Sequence, residues 1–160
     1  MNKYRKLTYG GLMGAFIFLG TYILSFPMIN GYLNMGDGII LISAVILGPF
    51  AAIPAAIGSM LADFAAGYAM YAPFTFIVKG LVGLVPALLL RGKKISLKTI
   101  ILPFILAELI MVTGYFLTDT LLFQVGAFAA VPFNLLQGLF GLILGSVGTM
   151  VVIKSKIKRF

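Results

Sequence analysis

The 160-residue chain contains no cysteine, no histidine and no tryptophan, and only four of its residues are Asp or Glu. Without cysteine it can form neither a disulfide framework nor a thiolate metal site. Without histidine it lacks the commonest metal ligand and general base. Redox and zinc chemistry are therefore largely excluded, and we predict no metal site, no cofactor and no catalytic residue.

Charged residues of either sign are also scarce, at 10% of the chain, whereas 61% of the residues are hydrophobic and the mean hydropathy is +1.12. A water-soluble domain of this composition would lack enough polar residues to cover its surface. Long apolar runs interrupted by Gly and Pro are typical of membrane helices, and the alternating segments of an outer-membrane barrel are absent. The composition therefore predicts an integral membrane protein.

Six apolar stretches predict transmembrane helices in an all-α fold, with a single domain over residues 1–160. The predicted spans cover residues 8–26, 36–48, 51–68, 73–90, 99–120 and 131–153. The second stretch is short for a full crossing of about 30 Å. Gly48 and Pro49 force a tight turn directly after it.

Basic residues outside these spans fall into three clusters at the ends of the chain and between spans four and five. The clusters are Lys3, Arg5 and Lys6; Arg91, Lys93, Lys94 and Lys98; and Lys154, Lys156, Lys158 and Arg159. The connections on the opposite side carry no Lys or Arg, so the positive-inside rule predicts that both termini are cytoplasmic. The clusters lie at the chain ends and in one loop and do not form a polar face with interleaved aromatic residues, and we therefore expect no nucleic-acid partner despite the net charge of +8.

Polar residues within the spans are expected to converge on the outer half of the bundle. At about 1.5 Å per residue, only Glu108 lies near mid-membrane, and the inner half is almost purely apolar. A channel needs polar groups through the full thickness, whereas this asymmetry predicts a cup that captures a ligand from outside. Candidate residues for the cup are Asp37, Asp63, Lys79, Glu108, Tyr115, Asp119, Asn134 and Gln137.

One pair in this set has two interpretations. Asp63 and Lys79 are expected at similar depths on helices joined by a short loop, where they can form a buried ion pair. Such a pair is either an architectural clamp or a ligand contact, and the sequence favours neither.

The remaining polar residues suggest the chemistry of a ligand. Glu108, Tyr115 and Asp119 share one face of the fifth span. Carboxylates, amides and aromatic rings together suit a small heterocycle with hydroxyl and ring-nitrogen groups. For Tyr68 and Tyr71 we favour the simpler interpretation that they belong to the aromatic belt at the membrane surface.

A patch of small residues lies near the start of the first span. Gly10, Gly11, Gly14 and Ala15 form two interleaved small-xxx-small pairs, which let another helix approach closely. That helix belongs either to the same bundle or to another membrane protein. The chain has no phosphate-binding Gly-x-x-x-x-Gly-Lys-Ser/Thr loop, so energy for active transport must come from a partner. A stand-alone secondary carrier, for which inverted repeats would be expected, is the alternative class.

An ordered series of short motifs resembles the substrate-binding S components of energy-coupling factor (ECF) vitamin transporters. The series covers most of the chain and comprises Asn34-Met35-Gly36-Asp37, Gly48-Pro49, Gly58-Ser59, Ala62-Asp63, Gly67-Tyr68, Tyr71-Ala72-Pro73, Thr75, Lys79-Gly80, Glu108, Gly114-Tyr115-Phe116 and Asn134-Leu135-Leu136-Gln137-Gly138.

The resemblance implies a six-helix subunit of the bacterial plasma membrane, surrounded by lipid, that captures a vitamin with high affinity and topples to release it. It implies a transmembrane T component and two cytoplasmic ATPases as partners, so that the chain itself is not an enzyme. The helix-one patch Gly10, Gly11, Gly14 and Ala15 takes the role of the T-component contact, with Gly where Ala-x-x-x-Ala is usual. Residues 27–35 correspond to a lid over the pocket, and Asn34 joins the candidate substrate-binding residues.

Within that family the pattern is most similar to members assigned to vitamin B6 compounds or to hydroxymethylpyrimidine. We expect a B6 vitamer, namely pyridoxine, pyridoxamine or pyridoxal, and keep hydroxymethylpyrimidine, thiamin and riboflavin as alternatives. Thiamin is less favoured because the family members that bind it typically stack it on tryptophan, which this chain lacks.

Overall fold

The computed structural model describes residues 3–28 and 30–155, apart from the side chain of Val125. These residues form α1 (Lys3–Tyr22), α2 (Gly36–Leu47), α3 (Ala52–Ala65), α4 (Ala72–Leu89), α5 (Leu97–Phe123) and α6 (Ala127–Lys154). Two short strands, β1 (Ser25–Pro27) and β2 (Tyr32–Asn34), form an antiparallel hairpin between α1 and α2. The basic residues Lys156, Lys158 and Arg159 of the predicted C-terminal cluster lie outside the described residues.

The prediction of an all-helical membrane fold agrees with this architecture, but the prediction of six spans requires correction. Within the described ranges, the segments long and apolar enough to cross a membrane are Gly36–Ala65, Ala72–Leu89, Leu97–Phe123 and Ala127–Lys154. At about 1.5 Å per residue, α2 and α3 are each shorter than a membrane core of about 30 Å, and they form one apolar segment together. α1 falls short because basic residues occupy its first turns.

The chain turns sharply between α2 and α3. Gly48 has φ +60° and ψ −149°, a conformation that a residue with a Cβ rarely adopts. Gly20 of α1 lies against Ile39 near the start of α2, and Gly10 lies against Phe50 just after the turn. α2 therefore runs antiparallel to α1, and the turn lies at the same end of the bundle as the start of α1.

Glycines allow α2 and α6 to pack closely side by side. A Cβ added at Gly145 would lie 2.8 Å from the Leu41 Cβ, and one added at Gly38 would lie 2.7 Å from the Leu144 Cβ. Real Cβ atoms do not approach this closely, so each helix presents a glycine where the other presents a side chain. Such close backbone approach is the usual basis of helix association in lipid, where burial of apolar surface contributes little.

Replacing Gly145 with alanine should destabilise the protein by about 1–3 kcal/mol, because the added methyl group overpacks the contact with Leu41. Gly11 is a matched control on α1, since no atom of the described part of the chain lies within 4 Å of its Cβ position. Gly11→Ala should unfold no earlier than the wild type, because alanine has the higher helix propensity. Thermal unfolding in detergent measures both effects, and equal midpoints for the two variants would contradict the packing argument.

Candidate functional site

A buried ion pair joins α2 to α4. Lys79 donates hydrogen bonds from Nζ to both carboxylate oxygens of Asp37, at 2.6 and 2.8 Å, and each side chain is about 1% exposed. Asp37 lies in the first turn of α2, where the helix dipole favours a negative charge. Lys79 also lies 5.3 Å from the centre of the Tyr115 ring, so its charge faces an aromatic surface as well.

The predicted pairing of Lys79 with Asp63 is therefore wrong. The Oδ1 atom of Asp63 accepts a hydrogen bond of 2.6 Å from the hydroxyl of Tyr32, and Lys79 pairs with Asp37. Sequence position predicts the depth of a residue along its helix, but it does not predict which residue of a neighbouring helix the side chain contacts. Asp37 faces Lys79 because the start of α2 packs against α4.

Gln137 extends this network to α6 and to the hairpin. Its Nε2 donates to Asp37 Oδ2 at 2.7 Å, and its Oε1 accepts from the backbone N–H of Asn34 at 2.9 Å. The Oδ1 of Asn34 in turn accepts from the backbone N–H of Gly36 at 3.0 Å. We refer to Asn34, Asp37, Lys79 and Gln137 together as the polar floor.

A small cavity of about 30 Å³ lies on the polar floor, between the hairpin and the nearby ends of the helices. It is lined by Met28, Asn30, Gly31, Tyr32, Asn34, Asp63, Tyr71, Tyr115, Asp119, Asn134 and Gln137. Asn134 is 4% exposed, and no described residue hydrogen-bonds to its amide. Because this amide lines the cavity, its donors and its acceptor are available, and Asn134 is suited to bind a ligand.

Tyrosine hydroxyls donate to two carboxylates at the cavity wall. Tyr32 donates to Asp63, and Tyr71 donates to Asp119, each at 2.6 Å. Burial, together with the adjacent Asp63, raises the pKa of Tyr32 far above its ordinary value. Burial and the hydrogen bond to Asp119 raise the pKa of Tyr71 in the same way. Both phenols therefore remain neutral donors at physiological pH.

The assignment of Tyr71 to the aromatic belt is also wrong. Its side chain is 5% exposed and packs 6.3 Å from the Tyr115 ring, inside the bundle. Tyr68 is half-buried, and its ring lies 5.0 Å from that of Tyr32. The Tyr71 ring lies inside the bundle because its hydroxyl donates a hydrogen bond to the Asp119 carboxylate of α5. Sequence spacing does not reveal this contact, because the two residues are far apart in the chain.

The structure brings most of the predicted site residues together but separates Glu108 from the cavity. Glu108 lies behind the polar floor, against Gly138 and Gly141 of α6, and does not line the cavity. Its side chain is 6% exposed, and neither carboxyl oxygen accepts a hydrogen bond from any residue that the structure describes. Asp37 and Lys79 lie in the floor without lining the cavity, whereas Asn34 and Gln137 belong to the floor and also line it. The other candidates line the cavity as well: Asp63, Tyr115, Asp119 and Asn134.

The hairpin contributes residues that the sequence did not single out. Tyr32 lines the cavity, and Asn30 Nδ2 donates to the backbone oxygen of Gly126 at 2.9 Å, which ties the hairpin to the turn before α6. Gly31, with φ +79°, lies against the Tyr71 ring. The family resemblance implies a lid over the pocket at residues 27–35, but it does not identify which of these residues contact the helices.

Buried hydroxyl groups also occur deeper than expected. Ser146 and Thr149 lie further along α6 than Gln137, and neither hydroxyl has a hydrogen-bond partner within the described residues. The expectation of an almost purely apolar inner half is therefore met only in part, although the charged groups within the helices do converge near the cavity.

The small-residue patch serves packing within the bundle and also lines a groove. Gly10 packs against Phe50 and Gly14 against Pro54, whereas no described residue lies within 4 Å of the Cβ position of Gly11. All four residues, Gly10, Gly11, Gly14 and Ala15, line an apolar groove between α1 and α3. The two interpretations of the patch therefore overlap at Gly10 and Gly14.

Three comparisons relate the chain to known proteins. Residues 1–154 match the family described as ECF-type riboflavin transporter, S component. A protein of Pyrococcus woesei described as "Uncharacterized protein in gap 3'region" is 33% identical over 133 residues, which is 82% of this chain and 88% of that protein. A solved structure, "Structure and mechanism of the S component of a bacterial ECF transporter", matches with a TM-score of 0.77. It covers 98% of this chain and 100% of that chain at 18% identity, so this likeness concerns the fold alone.

Removing one partner of the Asp37–Lys79 pair should be far more damaging than removing both. We expect Lys79→Met to destabilise the protein by about 3–5 kcal/mol, because it leaves a buried carboxylate without its cation. The double variant Asp37→Leu with Lys79→Met should recover much of that loss. Thermal unfolding in detergent tests this, and a single variant as stable as the wild type would refute the assigned pair.

Proposed function

The chain belongs to the S-component family of ECF-type riboflavin transporters, and from that membership we propose that it captures a small vitamin from outside the cell. Members of this family are transport subunits rather than enzymes, and ATP hydrolysis occurs in their partner subunits. The family and the long apolar helices identify a multi-pass integral membrane protein.

The observation that carries this proposal is the cavity on the polar floor. Its volume of about 30 Å³ holds one or two water molecules, so capture of a vitamin requires the hairpin that borders it to move outward. The Asn134 amide is free to bind a ligand, and tyrosine rings supply flat apolar surfaces for an aromatic ring. This combination supports a ligand with a single aromatic ring and several hydroxyl or nitrogen groups.

A B6 vitamer is the substrate that we propose. Pyridoxine, pyridoxamine and pyridoxal each have one pyridine ring with hydroxyl and one-carbon substituents, which match the polar and aromatic side chains that line the cavity. Hydroxymethylpyrimidine shares these features and is the nearest alternative. Thiamin is larger, and no tryptophan is available to stack on it.

Riboflavin is the second candidate, because the family that matches the chain is described by that vitamin. Its three fused rings and ribityl chain are larger than a B6 vitamer. We infer that riboflavin would require the hairpin to move further from the helix ends than a B6 vitamer does, since Met28 and residues 30–32 border the cavity. A titration that includes both vitamins discriminates between the two proposals.

The proposed orientation places the cavity at the outer face and both termini in the cytoplasm. Lys6 lies 4.9 Å from the Phe50 ring, at the turn between α2 and α3. Asp37 and the cavity are at the opposite end of α2. The basic residues of α1 therefore lie at the end away from the cavity, as the positive-inside rule requires for an outward-facing site.

A T component is the partner that we propose for the groove between α1 and α3, and it would link the chain to two cytoplasmic ATPases. The groove is apolar, and Gly11 leaves its floor open to a helix from another chain. Close approach at small residues is a common mode of helix association in membranes. The groove and the cavity are separate surfaces, so capture and docking can be tested independently.

Calorimetric titration with the B6 vitamers, hydroxymethylpyrimidine, thiamin and riboflavin tests the proposed capture. Asn134→Ala should weaken binding of the recognised vitamin about tenfold, the effect of losing one buried hydrogen bond of about 1–1.5 kcal/mol. Ser146→Ala, a change on the same helix outside the cavity lining, is the control and should bind normally. Unchanged affinity in Asn134→Ala would exclude this residue from the site.

Filling the groove should block assembly without affecting capture. Gly11→Leu places a bulky side chain where a partner helix would approach, so co-purification with a T component and ATPases should be lost while vitamin affinity is retained. Val147→Leu, at an exposed position of α6, is the control and should assemble normally. Vitamin uptake into proteoliposomes that contain this chain alone would instead support a stand-alone carrier.

A further inference from the structure

Every acidic side chain in the sequence is buried. The four are Asp37, Asp63, Glu108 and Asp119, with exposed fractions between 1% and 6%. Lys79 is the only buried basic side chain among residues 3–28 and 30–155, and it pairs with Asp37. Three buried carboxyl groups are therefore left without a buried cation.

Two of these three carboxyl groups have fully buried oxygens that accept no hydrogen bond from the described residues. Asp63 lines the cavity and receives the Tyr32 hydroxyl through Oδ1, while its Oδ2 is one of these oxygens. The neutral Thr75 hydroxyl also faces Asp63 and is within hydrogen-bond distance of Tyr115. Glu108 lies just behind the polar floor, and both of its oxygens are of this kind. Asp119 receives the Tyr71 hydroxyl. Neutral phenols lower the cost of burying a carboxylate but supply no positive charge.

The titratable groups around Asp63 do not supply that charge. They are Tyr32 on β2, Tyr71 before α4, Lys79 on α4 and Tyr115 on α5. Lys79 is the only cation among them, and its ammonium group already donates hydrogen bonds to both carboxylate oxygens of Asp37.

The groups around Glu108 do not supply an unpaired positive charge either. Asp37 on α2 and Lys79 on α4 are the charged groups that face it. The helix packed against it from the other side, α6, presents Gly138 and Gly141. Glu108 therefore adds to the negative character of the region behind the cavity.

An unpaired carboxylate in a water-poor interior is costly, so such a group either holds a proton or faces a positive charge. We propose that the cavity binds a cationic vitamin against Asp63, and that in a B6 vitamer the positive charge is that of an ammonium substituent. In the empty protein the Asp63 carboxyl group holds a proton, which it releases to solvent when the cation binds. This inference rests on the proposed vitamin capture and adds the charge class of the vitamin.

Two B6 vitamers form a matched pair of probes for this proposal. Pyridoxamine carries an aminomethyl group, which is an ammonium at neutral pH, where pyridoxine carries a neutral hydroxymethyl group. The rings are otherwise identical, so a difference in affinity reports the recognition of charge. Charge-assisted hydrogen bonds to a carboxylate are about twice as strong as neutral ones, and we expect pyridoxamine to bind at least about tenfold more tightly.

The test is calorimetry on the full chain in detergent, in buffers of different ionisation enthalpy. Pyridoxamine binding should release more protons than pyridoxine binding, by about one per ligand. Its affinity should consequently rise with pH, by up to about tenfold per pH unit, because raising the pH favours the state that has lost the proton.

Asp63→Asn keeps the shape of the side chain and removes its charge, so the preference for pyridoxamine should fall to near unity. Ser146→Ala should retain the preference.

The outcomes separate this inference from the proposed function. Equal affinities for the two vitamers without excess proton release would overturn the cation site and leave vitamin capture intact, as would binding of neutral riboflavin alone. Binding of thiamin alone, a permanent cation, would support the cation site and refute the B6 substrate. Binding of none of these vitamins would overturn both proposals. The wild-type measurements suffice for a decision if Asp63→Asn does not fold.

Discussion

The structure depends on one bidentate ion pair in a region that excludes water. Neither the Lys79 ammonium nor the Asp37 carboxylate is tolerable alone at this depth, so α2 and α4 must bring them together. Gln137 then binds the second oxygen of Asp37 and joins α6 to the same network. The same Gln137 receives the backbone N–H of Asn34, so the hairpin above the cavity is anchored to the charges below it.

Small residues allow the helices that carry this polar network to pack closely together. Gly138 and Gly141 of α6 leave space for the Glu108 carboxyl group, and Gly145 admits Leu41 of α2. In lipid, helices gain little from burying apolar surface against one another, so close packing and internal hydrogen bonds must hold the bundle together. The glycines are therefore part of the site, because larger residues would separate the helices that carry its polar groups.

The fold places two different surfaces apart from each other. The cavity lies among polar groups where the hairpin meets the helix ends, and the apolar groove lies between α1 and α3. Capture of a polar ligand requires donors and acceptors held in place, whereas docking in lipid requires close approach of backbones. This separation is consistent with a family in which the chain binds the cargo and other subunits hydrolyse ATP.

The sequence by itself determined the membrane environment, the helical class and the family, because composition, apolar run length and short motifs depend only on local chain chemistry. It also placed the residues of the cavity at similar depths, since depth follows from a constant rise per residue. Only the tertiary structure decided the partners: Lys79 with Asp37 instead of Asp63, and Tyr71 inside the bundle. It also decided that α2 and α3 are short helices on either side of a tight turn. The physical reason is that the rotation of each helix about its axis, and the neighbour that it faces, are set by packing between segments distant in the chain.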